Sequence, residues 1–522
     1  MGGELVDCFQ NPILPGFYPD PSICRVGEDY YLVTSTFSYF PGVPIFHSKD
    51  LVHWEQIGHV LDRPEQLDLT GLGHSQGIFA PTIRYYQGIF YLITTNVGKG
   101  GNFLVTARDP KGPWSDPVWL DAPGIDPSLF FDDDGQAYYC GTSSAPEGEK
   151  YYGNNEIFLQ RLNLETLALE GPTYPLWRGA LRDAVWPEAP HIYKKDGYYY
   201  LMIAEGGTGH HHAVTIARSQ SIEGPYVGNP GNPILTHRHL GRDFPIVNTG
   251  HGDLVETQEG EWWMVLLASR PKGGYYRNLG RETFLAPVIW EDDWPIVSPN
   301  TGKVEWSYPL PRLRPSPHNT RGRKAVDDFA RPTLELVWNC LRTPQESFYS
   351  LTERPGYLRL YLRKETLGEL VNPSFIGRRQ QHHSFTVTAA LEFTPKQECE
   401  EAGLVALQSD AVHYRLVLGQ QSGSPVVKLI CRRDGKESLL ASAHAPSGQV
   451  CLRILALDQS LDFYFGTNPR DLMPLYLDAD GRILSTDYAG GFVGTYLGVY
   501  ASSNGEESSN VADFDWFSYD GL

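Results

Sequence analysis

Cysteine is scarce: Cys8, Cys24, Cys140, Cys340, Cys399, Cys431 and Cys451 are odd in number, scattered, and never form a CxxC pair. That excludes a disulfide framework and fits a reducing compartment. No apolar run approaches the length of a membrane span. The opening residues, Met1 to Asp7, have neither a basic n-region nor an apolar h-region. An intracellular, cytoplasmic protein is therefore expected. Positive charge is in deficit, with 43 Lys and Arg against 62 Asp and Glu, a formal net charge of −19. Such a surface disfavours nucleic acid and anionic membranes as partners. Helical periodicity is almost missing from the first 300 residues.

What is present is aromatic. The 522 residues include 30 Tyr and 12 Trp, and aromatics make up 12% of the chain. This suits β structure and sugar-stacking surfaces. The length allows two or three domains with a large core.

One short phrase occurs five times in the first 270 residues. Its copies begin at Asp20-Pro-Ser-Ile, Ala80-Pro-Thr-Ile, Asp126-Pro-Ser-Leu, Glu188-Ala-Pro-His and His251-Gly-Asp-Leu, and each runs on to an aromatic second half such as Tyr30-Tyr-Leu or Trp262-Trp-Met. Each reads as strand, polar turn, strand. Their spacing fits one four-stranded propeller blade per copy. A second phrase, His47 to Trp54, Ala107 to Trp114 and Ala217 to Tyr226, reads as an outer strand with its turn. A radial array brings equivalent ends of the copies to one axis, where Asp20, Asp126 and Glu188 would meet. Like charges brought together cost energy. Convergence of three acids therefore points to acid/base catalysis and away from independent turns of the Asp-Pro-Ser kind.

A Pro-rich, basic stretch from Pro309 to Lys324 marks a linker, set at 311–325 between a first domain over 1–310 and a second over 326–522. In the second domain, short alternating strands recur at Tyr357–Leu362, Ser384–Phe393, Val426–Cys431 and Phe492–Tyr500. The fold class expected is all-β: a five-bladed propeller followed by a β-sandwich of jelly-roll type.

Two tempting motifs carry little. In His210-His-His212, neighbours on a strand would point to opposite faces, so three imidazoles cannot share one ion. Gly98-Lys-Gly-Gly101 lacks the frame of a phosphate loop.

Asn11-Pro-Ile-Leu-Pro-Gly-Phe-Tyr-Pro-Asp-Pro-Ser22, Phe40-Pro-Gly-Val-Pro, Gly124-Ile-Asp-Pro-Ser, Glu188-Ala-Pro-His and Leu279-Gly-Arg-Glu-Thr283 together resemble glycoside hydrolase family 43. The closest likeness is to its two-domain β-xylosidase and α-L-arabinofuranosidase members, and it spans essentially the whole chain. The resemblance implies an inverting mechanism with Asp20 as general base, Glu188 as general acid, and Asp126 orienting the acid and tuning its pKa. It implies that Arg281 reaches sugar hydroxyls, where the bland alternative is a surface ion pair with Glu282. Phe37, Phe79, Ala80, Thr208 and, from the second domain, Phe492 match positions that line the pocket. Phe79 stands where Trp is common in relatives, and Ala189 where many have Gly.

His251 matches a position that holds a divalent ion, calcium, near the axis as its one direct protein ligand. The alternative is a metal-free His bonded to a carboxylate. No organic cofactor is implied, and a homo-oligomer is left open. The activity expected is exo release of xylose from short β-1,4-xylo-oligosaccharides, with α-L-arabinofuranosidase activity on arabinosyl-substituted oligosaccharides. A predominantly α-L-arabinofuranosidase enzyme is the near alternative. Further off lie a fructan-cleaving propeller, whose motifs fit poorly, and a lectin-like propeller, which would not need the three-acid set.

Overall fold

Alternating apolar residues and left-handed turn positions build the inner hairpins. Gln87-Gly88 (φ 48° and 83°) and Asp196-Gly197 (φ 48° and 81°) close two of them with both central residues at positive φ, the geometry that follows the natural twist of paired strands. The computed structural model describes residues 7–180, 184–316 and 326–522. Within them the first domain holds five larger sheets, each centred on four antiparallel strands, and a two-stranded one that pairs Cys8–Gln10 with Ser307–Pro309. Their innermost strands are Ser22–Val26, Thr82–Tyr86, Ile125–Phe131, Glu188–Lys195 and Val247–Glu256, one for each copy of the repeated phrase. These are blades 1 to 5 of a propeller, with every innermost strand running away from the same face.

Blade 5 meets blade 1 through Asp253, which accepts from the Ser22 hydroxyl at 2.8 Å and the Ile23 amide at 3.0 Å. The chain's beginning is bound to blade 5 as well. Leu14 bridges Thr283, and Asn11 exchanges hydrogen bonds with the Leu285 backbone, both at 2.9 Å.

The second domain is a sandwich of an eight-stranded and a six-stranded antiparallel sheet. Of the expected linker, residues 317–325 lie outside the described residues. One sequence expectation needs correction. Phe492 does not begin a strand; it follows a four-residue helix, Thr486–Ala489, and the strand starts at Tyr496.

The domains share a packed interface. Cys340–Leu341 adds to Tyr39–Phe40 of the propeller as a strand pair. Arg342, wholly buried, donates to the Leu72 carbonyl at 2.7 Å and to Asp410 at 2.7 Å. One apolar cluster continues from Ile45 and Val60 of the propeller to Leu404 and Val499 of the sandwich. The sandwich is thus fixed against blades 1 and 2.

Candidate active site

Asp20, Asp126, Ala189 and His251 all sit in left-handed backbone, at φ 56°, 53°, 51° and 46°. They occupy equivalent points of blades 1, 3, 4 and 5. In blades 3, 4 and 5 the strand register also slips there, between Ile125 and Ser128, Glu188 and His191, and Val247 and Gly252. A local bulge turns a side chain that would follow the strand's alternation. Non-glycine residues in this region cost about 1–3 kcal/mol each and concentrate at functional sites. The repeated kink sends the carboxylates of Asp20, Asp126 and Glu188 towards the axis, where their charges act on one another.

The two ends of this cluster differ electrostatically. Asp20 is buried, which alone would raise its pKa. Several partners together outweigh that: Arg281, donating from Nη1 to Oδ1 at 2.5 Å, then His251, the Ser35 hydroxyl at 2.5 Å from Oδ2, and His212. The net result holds Asp20 below the ordinary carboxylate range. Glu188 shifts the other way: burial of its carboxyl, then the charges of Asp126 and Asp20, push it well above that range. Asp126 is also raised, by burial and by Asp20, against Arg281 and the Ala189 amide. Burial and like charge disfavour ionisation, as general physics requires. The arrangement therefore offers an ionised carboxylate beside Arg281 and a proton held on the Asp126–Glu188 side.

Arg281 is buried beside Asp20 and the aromatic rings. Its guanidinium lies 5.5 Å from the Phe37 ring and 5.7 Å from the Phe492 ring. The surface pair with Glu282 does not form, because Glu282 takes both its oxygens to Arg270 at 2.7 Å. Phe37, Phe79 and Phe492 make an aromatic wall with ring centroids 4.9 to 5.9 Å apart. Phe37 is only 2% exposed and backs the wall, whereas Phe492 is 37% exposed and faces outward. Ala80 is buried beside Phe79. Thr208 stands half-buried in the loop 206–212 of the same face, next to Gly207, which packs on Trp186.

His251 is buried, with Nδ1 at 3.8 Å from Asp20 Oδ1, too far for a hydrogen bond. The metal-free alternative of a direct His–carboxylate bond is thus not formed. Burial, foremost, lowers its pKa and keeps the imidazole neutral with a lone pair available. Among the described residues no three His, Cys, Asp or Glu side chains are grouped to hold a metal. Asp20, the nearby carboxylate, is already engaged by Arg281 and Ser35. Toward a divalent ion the described residues offer at most the one imidazole nitrogen of His251.

Four participants escaped the sequence reading. His212 is buried, which lowers its pKa to about 3; its Nδ1–H donates to the Asn248 carbonyl at 3.0 Å, and it is among the groups that lower the pKa of Asp20. Strand alternation does not govern it, because His210 and His211 form a turn and His212 ends it. Ser35 gave no signal in its local text. Beneath the acids, Arg84 forms a bidentate pair with Asp253 at 2.9 and 3.1 Å and meets His191 Nδ1 at 3.0 Å. Only the repeat itself could have placed Arg84 and Asp253 on the axis.

A family model described as Glycosyl hydrolases family 43 matches residues 9–295, and one described as Beta xylosidase C-terminal Concanavalin A-like domain matches 326–520. The chain is 49% identical over 512 residues to a protein named Xylosidase/arabinosidase from Butyrivibrio fibrisolvens, covering 97% of this chain and 98% of that one. It is 43% identical to a Non-reducing end alpha-L-arabinofuranosidase from Bacteroides ovatus, covering 98% and 94%. A solved structure titled as the GH43B of a Bacteroides ovatus xyloglucan PUL superposes with a TM-score of 0.92 at 43% identity, over 99% of this chain and all of that one.

Proposed function

This chain belongs to glycosyl hydrolases family 43, and we propose on that premise that it removes single xylose units from the non-reducing ends of short β-1,4-xylo-oligosaccharides, with α-L-arabinofuranosidase activity besides. Membership makes it an inverting glycosidase. The observation that carries the roles is the opposite tuning of Asp20 and Glu188. Inversion needs a base on one face of the sugar to activate water and an acid on the other to protonate the leaving oxygen. Asp20, ionised beside Arg281, takes the water's proton. Glu188, kept protonated by burial and by Asp126, gives its proton to the glycosidic oxygen. Arg281 holds Asp20 and offers its remaining donors to sugar hydroxyls. Phe79 and Phe492 provide apolar faces for the C–H surface of a pentose. The wall from the sandwich domain closes one side of the pocket, which suits removal of terminal sugars one at a time.

A second reading has its own support: the arabinofuranosidase name of a full-length relative. A β-xylopyranoside and an α-L-arabinofuranoside present the scissile bond and neighbouring hydroxyls similarly, so one pocket can serve both. We keep calcium within the proposal. His251 would hold it through one imidazole nitrogen with water completing the shell, and its charge would favour ionised carboxylates nearby.

The test is turnover of p-nitrophenyl β-D-xylopyranoside and p-nitrophenyl α-L-arabinofuranoside side by side. Both are to be run with and without EDTA, using Asp20→Ala as the blank. The proposal expects xyloside turnover that falls by about 10²-fold or more in the blank, and an EDTA loss that calcium restores. The ratio of the two rates ranks the sugars. No turnover of either substrate by the wild type would overturn the pentosidase reading, and indifference to EDTA would remove calcium from it.

A further inference from the structure

The base and the aromatic wall come from blades 1, 2 and 5 with the sandwich. Across the axis, the Asp126–Glu188 side is built by blades 3 and 4. A leaving sugar must pass beside the group that protonates its oxygen, so it departs over that side. Two aromatic residues stand there. Trp186, two residues before Glu188, is locked: its amide donates to the Gly153 carbonyl at 2.7 Å. A side-chain carbon added to Gly153 would come within 2.7 Å of its ring, and one added to Gly207 within 2.7 Å of the ring's other end. Tyr152, on the blade 3 loop that carries Gly153, stands edge-on to Trp186 with centroids 5.3 Å apart at 86°. Neighbouring Tyr151 pins this loop by donating from its hydroxyl to the Ala184 carbonyl at 2.9 Å.

Tyr152 is 80% exposed, more than any other large apolar or aromatic side chain among the described residues. An aromatic face left open to water beside a fixed Trp is a poor stability device, since it buries little. It is suited to stack on a sugar ring, with its hydroxyl free to hydrogen-bond. We propose that Tyr152, braced by Trp186, is the platform that binds the leaving saccharide of the substrate and so sets the preference for oligosaccharides over simple xylosides. This deepens the pentosidase reading given above and rests on it.

Xylobiose and β-D-xylosyl fluoride separate the leaving-group side from the rest of the site, because fluoride needs neither a platform nor a general acid. The wild type, Tyr152→Ala and Tyr152→Phe are compared as full chains. For Tyr152→Ala, kcat/KM on xylobiose should fall about threefold to tenfold, mostly through KM, as expected for one lost stacking contact. Its kcat/KM on xylosyl fluoride should stay within about twofold of the wild type by the same reasoning. Tyr152→Phe should retain most of the xylobiose activity. An equal fall on both substrates would make Tyr152 a structural brace, and an unchanged rate on xylobiose would remove it from binding; either overturns the proposal. A wild type inert to both substrates would instead sink the pentosidase reading, and the platform with it.

Discussion

Asp126 performs no proton transfer in the proposed reaction, yet its charge adds to burial in raising the pKa of Glu188. The sign follows directly. A negative neighbour disfavours ionisation of Glu188, so removing that charge lowers the pKa of the acid. Asp126→Asn should therefore move the alkaline limb of the kcat/KM profile to lower pH, while the acid limb, set by Asp20 beside Arg281, stays below the ordinary carboxylate range. The measurement is a kcat/KM profile across pH 3 to 10. An unmoved alkaline limb would mean that burial and Asp20 raise Glu188 without help from Asp126. At this scale the sequence was legible where chemistry repeats. Asp20, Asp126 and Glu188 could be read because each opens a copy of the same phrase. Ser35 and His212 could not, because their roles depend on how two loops return to the axis. The repeat also hid the left-handed kinks that aim the acids, since nothing in Asp-Pro-Ser demands positive φ.

Short elements, more than long ones, place the pocket's outer wall. The helix Thr486–Ala489 presents Asp487 to Arg277, which donates its backbone amide at 2.8 Å and its guanidinium at 2.8 to 3.1 Å. Three residues after the helix, the Phe492 amide donates to Ser75 at 2.9 Å. Gly490 and Gly491, at φ 77° and 76°, make the turn between helix and wall. This latch ties a loop of the sandwich to two propeller loops and fixes the ring of Phe492. Asp487→Ala should raise KM several-fold with a smaller change in kcat. It should also lower stability by about 1–3 kcal/mol, the cost of stranding a partly buried donor. Steady-state kinetics and denaturant unfolding check both numbers. Unchanged KM would show that Phe492 holds its place without the latch. In the sequence, family likeness points Phe492 to the pocket while periodicity puts it on a strand; the structure packs its ring on Phe37 and Phe79 and puts no strand there. The Gly-Gly pair before it is the local signal for a turn that the alternating Val-Gly-Thr-Tyr pattern outweighed.

For the whole molecule, the five-fold repeat and the change of pattern after residue 326 make both architectures legible in the sequence. What could not be read is how the ring is closed and how the domains are joined. Closure uses Asp253 on Ser22 and Ile23, and an N-terminal segment laid on blade 5, contacts between residues more than 200 positions apart. The joint uses buried cations: Arg342 on Leu72 and Asp410, and Arg379 on the Phe17 carbonyl at 2.6 Å. Such residues look like surface charges in the text and become interior ones only through tertiary packing. Together these contacts hold Asp20 beside Arg281, with Asp126 and Glu188 gathered at the same axis. The central claim is that Asp20 and Glu188 act from opposite faces of a terminal pentose. Time-resolved proton NMR of p-nitrophenyl β-D-xylopyranoside hydrolysis tests it most directly. The account expects α-xylose as the first product, drifting to the β anomer only as it mutarotates. β-Xylose as the first product would contradict it.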